Sequence, residues 1–91
     1  MYLEIVTPEA ILYSGEVTSV TVPGVMGEFQ MLENHAPIIS LLGAGNIKIK
    51  GIVAIEKEVA DKFSQENGAT LLPINSGTLE MKDNNIIILA D

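Results

Sequence analysis

Cysteine is absent from the chain, which removes disulfide frameworks, thiolate nucleophiles and sulfur-ligated zinc from consideration. That absence fits a reducing compartment. Tryptophan is missing too, and aromatics make up only 4% of residues, so a core has to be built from isoleucine, valine and leucine. Side chains of that kind pack well on pleated surfaces and lose rotamer freedom in helices. Basic residues are few: five against twelve acidic ones leave a net charge of −7. Binding to a phosphate backbone needs clustered Lys or Arg, and so does adsorption to an anionic bilayer. No nucleic-acid partner is expected, whereas basic or amphipathic protein partners fit. Long apolar runs are also lacking. The longest, Ile86 to Ala90, falls far short of the roughly 20 residues that cross a bilayer. The opening Met1-Tyr2-Leu3-Glu4 shows no basic region followed by an apolar run, so no secretory signal is read there. If a membrane matters, it is reached through another protein.

What is present is a rapid succession of short alternating segments. Ninety-one residues suit one domain, 1–91, with no linker long enough to divide it. Residues 2–7 alternate and stop at Pro8, which lacks the N–H a ladder requires. Ile11-Leu12-Tyr13 leads to a Ser14-Gly15 turn. Residues 16–22 alternate as a strand with a bulge expected between Val17 and Val20, closed by Pro23-Gly24. Further strands are predicted at 27–32, 38–42, 47–50, 70–74, 78–81 and 86–89. Glu33 to Pro37 and Gly43 to Asn46 are read as turns, and Asp83-Asn84-Asn85 as a tight hairpin turn. The stretch from Ile52 to Asn67 breaks this rhythm. Ile52, Ile55, Val59 and Phe63 fall at spacings of three and four, and Glu58 precedes Lys62 by four. A short helical insert near 55–65, ended by Asn67-Gly68, is the reading preferred over an extended hairpin. The fold class expected is all-β: a flattened β-sandwich or barrel of short, mostly antiparallel strands.

Residues with chemistry to offer are sparse. His35 is the only histidine, and none of the five serines stands in a G-x-S-x-G frame. Asn34-His35-Ala36-Pro37 reads as a rigid turn in which the imidazole bonds neighbouring backbone. Glu56, Glu58, Asp61 and Glu66 read as a solvated face of the insert rather than metal ligands. The glycines fit neither phosphate-binding frame, so turns explain them. No catalytic, cofactor-binding or metal site is expected. Phe29, Met31 and Leu32 divide between two readings, core or an apolar contact with another protein. Two function classes stay open on the residues alone: a docking subunit, and a free-standing small-ligand carrier anchored by His35 and nearby carboxylates.

Three blocks carry a resemblance. They are Leu3-Glu4-Ile5-Val6-Thr7-Pro8-Glu9, the run from Gly27 to Pro37 with its G-E-x-x-x-L-x-x-H-A-P frame, and Ile74-Asn75-Ser76-Gly77-Thr78-Leu79-Glu80-Met81 running into Ile87-Ile88-Leu89-Ala90-Asp91. Together the chain resembles the N-terminal β-sandwich of the epsilon subunit of F-type ATP synthases, apart from an insert near 52–69. The resemblance implies a non-catalytic subunit of the central stalk, the rotor linking the gamma subunit to the c-ring and coupling rotation to ATP synthesis. It implies a peripheral place on the cytoplasmic side of the inner (plasma) membrane, with proton transport carried by the rest of the complex. It makes Glu28 a c-ring contact, with Phe29 and Gln30 following it and His35 in the loop beside that surface. The family usually has glycine where Gln30 stands, a departure that bears on the local loop shape. Typical family members continue into a two-helix inhibitory domain that in some of them binds ATP. This sequence stops at Asp91, so no nucleotide site is expected in it.

Overall fold

The computed structural model describes residues 1–91. Ten strands account for most of the chain: β1 Tyr2–Val6, β2 Ile11–Glu16, β3 Ser19–Gly24, β4 Gly27–Leu32, β5 Ile38–Leu42, β6 Gly45–Lys50, β7 Ser64–Glu66, β8 Ala69–Ile74, β9 Gly77–Lys82 and β10 Asn85–Ala90. They pair in the order β2-β1-β10-β9-β5-β3-β6-β8-β7, with β4 on the free side of β3. The β5–β3 link is a single pairing, Gly24 with Leu42, so the sheet folds over at that corner into two facing halves. One half is β2-β1-β10-β9-β5, the other β4-β3-β6-β8-β7. Every pairing is antiparallel except β1 with β10, which run side by side from Tyr2↔Asn85 to Val6↔Leu89. The β-sandwich expected from the sequence is the observed architecture.

Period-two alternation decides which side chains go inside. In β10, Ile86, Ile88 and Ala90 are buried while Ile87 and Leu89 face out. Ile88 sits opposite Ile5 on β1 and Leu79 on β9, and all three are sealed from solvent. From the facing half, Val20, Val22, Met31, Ile47, Ile49 and Leu72 complete one continuous aliphatic core. No buried side-chain polar atom lacks a hydrogen-bond partner. Gly77 has no room for a side chain, because a Cβ there would lie 2.6 Å from the Leu89 carbonyl oxygen.

Four local expectations are corrected. Ser14-Gly15 is not a turn but the end of β2, with Gly15 opposite Leu3; Tyr13 packs its phenol over that glycine. The irregularity at Val17 is the break between β2 and β3 rather than a bulge; the register shift occurs at Ile5/Val6 instead. Pro23-Gly24 belongs to β3. The Pro23 carbonyl accepts from Gly43 N–H at 2.8 Å, away from β4. In a strand a residue's N and C=O point the same way, so the missing N–H falls where β3 has left β6 (last pair Thr21↔Lys48) and not yet met β5. Proline costs no ladder bond there. Finally, the helical insert is a 3-10 stretch, Lys57–Lys62, held by i→i+3 bonds such as Val59 N–H to Glu56 O at 3.1 Å. Such runs stay short because their bond geometry is poor. Ser64–Glu66 leave it to pair with β8, and Asn67-Gly68, with φ of 50° and 80°, form the hairpin turn rather than a helix cap.

Tyr13 supplies a pH signature. Burial, then the Glu16 carboxylate, then Tyr2 push its phenol above the ordinary value of 10.0. Unfolding releases that proton more readily, so the unfolded chain binds fewer protons at high pH and stability falls as pH rises. Below the unfolded value the contribution is flat. Urea midpoints measured from about pH 9 to about pH 11 should drop more steeply for the parent than for Tyr13→Phe.

Candidate functional site

The β3–β4 hairpin projects its tip, Val25-Met26, from one end of the sandwich, with Met26 97% exposed. Val25 N–H donates to Leu41 O at 3.1 Å, tying the tip to β5. Glu28 is the second residue of β4, opposite Pro23, and its carboxylate accepts from Lys48 Nζ at 3.2 Å. Gln30 follows on the same outer face, exposed, opposite Thr21. Phe29 points the other way. It is half-buried against the core, its ring beside Gly24, so it shapes the hairpin from beneath.

His35 lies elsewhere. It follows the far end of β4, and the strand from Glu28 to Leu32 alone spans about 13 Å. Its Nδ1–H donates to the Ala36 carbonyl at 2.7 Å, and its own N–H donates to Leu32 O at 3.1 Å. The imidazole thus bonds neighbouring backbone, as its turn suggested. The loop is tied down by two asparagines: Asn34 N–H donates to Asn84 Oδ1 at 2.6 Å, and Asn84 Nδ2 donates to Asn34 Oδ1 at 2.8 Å. Both residues have positive φ, 67° and 60°, which asparagine tolerates. Asn84→Gly keeps that backbone conformation accessible while deleting the amide. It should cost about 1 kcal/mol of stability and speed amide exchange across residues 33–37, read by hydrogen-exchange mass spectrometry.

A larger feature has no counterpart among the residues picked from the sequence. The outer face of the β2-β1-β10-β9-β5 half carries Ile39 (80% exposed), Leu41 (62%), Leu89 (52%) and Ile87 in the open. Register brings them together: Ile39 and Ile87 flank Glu80, while Leu41 and Leu89 flank Thr78. Between them runs a shallow groove of about 200 Å³. Val6 and exposed Ile11 extend the patch past Leu89, and Val25 continues it toward the hairpin tip. The signal was present in the sequence: Ile86 to Leu89 and Ile38 to Leu42 are apolar on both faces of their strands, more than a one-sided core uses.

A larger cleft of about 440 Å³ opens between Thr7, Glu9, Asp61, Lys62, Asn75 and Asp91 at the hairpin end. His35 is not in it. No three His, Asp or Glu side chains lie close enough together to hold a metal ion, and no helix is long and apolar enough to cross a membrane.

Two curled aliphatic sheets, with one outer face left apolar and a hairpin tip at one end, define a compact β-sandwich module with surfaces suited to protein contact. The sequence matches the family described as ATP synthase, Delta/Epsilon chain, beta-sandwich domain, over residues 1–91, and the chain belongs to that family. It is 38% identical over 89 residues to the ATP synthase epsilon chain of Leptospira interrogans, covering 98% of this chain and 59% of that protein. It is 40% identical over 91 residues to the epsilon chain of Campylobacter curvus, covering all of this chain and 60% of the relative. The chain thus spans about three-fifths of these relatives' length. Among solved structures it superposes on a chain of the central stalk/c-ring of the Tetrahymena thermophila mitochondrial ATP synthase. The TM-score is 0.73 at 15% identity, over 99% of this chain and 62% of that one, a likeness of fold.

Proposed function

We propose that this chain is the β-sandwich of a central-stalk subunit of a proton-translocating ATP synthase, acting as one rigid unit over residues 1–91 and performing no chemistry of its own. Its apolar sheet face docks on the gamma subunit, and its hairpin tip, with Glu28 and Gln30, rests on the polar loops of the c-ring. The subunit is then peripheral to the cytoplasmic side of the membrane and reaches it only through the complex. His35 holds its loop in shape, at the far end of β4 from the tip.

The observation that carries this reading is the exposed aliphatic face on a chain whose whole length matches the family. Exposed apolar patches mark interaction surfaces; here Glu4 borders the patch beside Ile87, and Glu80 sets one carboxylate within it between Ile39 and Ile87. A rotor coupler transmits torque through packing and geometry, and close-packed interiors of low compressibility suit that task. Acidity favours contact with basic loops on the c-ring. Co-purification tests the reading: the chain should be retained by a gamma subunit and by a c-ring, each presented separately. Recovery of a free monomer that binds neither, but carries a small molecule, would overturn it.

A further inference from the structure

Glu28 and Lys48 meet over the outer face of β3. They sit on the two strands flanking it, Glu28 opposite Pro23 on β4 and Lys48 opposite Thr21 on β6. The pair therefore reaches across two strand spacings, about 9–10 Å between backbones, to close at 3.2 Å. It is the only ion pair in the structure that joins two side chains. In a chain with twelve carboxylates and five basic residues, one lysine has been placed on one carboxylate. Both side chains stay open to solvent, 40% for Lys48 and 54% for Glu28, so a docking partner can reach the carboxylate.

We infer that Lys48 is an internal competitor for Glu28, one that sets how tightly the hairpin tip docks. This rests on the proposed role of the tip. A cationic side chain on the partner gains Glu28 only by displacing Lys48, so docking exchanges one ion pair for another instead of adding one. The net electrostatic gain is smaller than for a free carboxylate, and the contact is kept weak and exchangeable. Because the internal pair is exposed, it is worth little, and its removal should release only a modest amount of affinity.

The test is binding of the whole chain to an immobilised c-ring, measured over a series of salt concentrations. Lys48→Met should bind about two- to fivefold more tightly and lose affinity more steeply with salt. Lys48→Gln should do the same with a polar neutral side chain. Glu28→Gln should bind more weakly. The double variant Glu28→Gln/Lys48→Met should match Glu28→Gln alone, because without the carboxylate there is nothing to compete for. If Glu28→Gln/Lys48→Met binds as tightly as Lys48→Met alone, the freed carboxylate takes no part in docking, the tip is not the docking site and the inference falls with it. If Glu28→Gln weakens binding but neither Lys48 variant tightens it, the docking role stands and the competitor role is overturned.

Discussion

Replacing Leu41 with glutamate should weaken capture of the gamma subunit by about 100-fold while leaving the free chain folded. Leu41 is 62% exposed on the outer face of β5, opposite Thr78, so in the free chain a carboxylate there stays in water and displaces no core atom. At an interface the balance reverses. The apolar side chain no longer leaves water, a loss of about 1.5–3 kcal/mol for a leucine. An unpaired carboxylate must also be desolvated, which costs further. The effect should be specific to the face. Gln30→Glu lies on the outer surface of the opposite half and should leave gamma binding unchanged. Surface plasmon resonance against immobilised gamma, with urea melts of each variant, separates loss of contact from loss of fold. If Leu41→Glu and the parent bind gamma alike, the apolar face is not the docking surface.

That face was legible in part, as two strands apolar on both sides, but the register that joins them through β9 was not. Strand positions near the chain ends were legible because alternation and turn chemistry agreed: Asp83 and Asn84 take φ of 53° and 60°, as the hairpin between β9 and β10 demands. Glu28 and Gln30 are exposed on the outer face of β4. Phe29 was grouped with them, although alternation along Glu28-Phe29-Gln30-Met31 puts Phe29 on the inner face with Met31, where it pairs with buried Val22. The insert misled for a physical reason. Spacings of three and four put Ile55, Val59 and Phe63 on one side in a helix, but a coil threaded by one 3-10 run brings the same three side chains to the core. Ile52, the fourth member of that pattern, is almost fully exposed. Asn67-Gly68 fits a helix end and a two-residue hairpin equally well in isolation, and pairing of β7 with β8 decided for the hairpin. The reach of Lys48 to Glu28 had no sequence signal, because the two residues are 20 apart and meet only across a third strand.

The second large effect concerns the body that carries these surfaces. Ile88→Ala should destabilise the chain by about 3–4 kcal/mol, within the range measured for large-to-small changes in cores. Ile88 is fully sealed and sits in β10, the strand joined on one side to β1 and on the other to β9. Its neighbours in register, Ile5 and Leu79, are buried aliphatics in a network of pairings that fixes both strands, so the site has little freedom to collapse around the lost atoms. A domain of this size holds only about 5–10 kcal/mol in total. The variant therefore forfeits a large share, and its thermal midpoint should fall by roughly 15–25 °C. Leu89→Ala, one residue along on the outward face, is the matched control. It removes an aliphatic side chain that is 52% exposed and should cost much less. Gamma binding should respond in the opposite sense. At a temperature where both variants stay folded, Ile88→Ala should retain it and Leu89→Ala should lose part of it, so that one strand separates stiffness from contact. Equal losses of stability at the two positions would mean that the alternation in β10 does not divide core from surface, and the apolar face would no longer be available as a docking site.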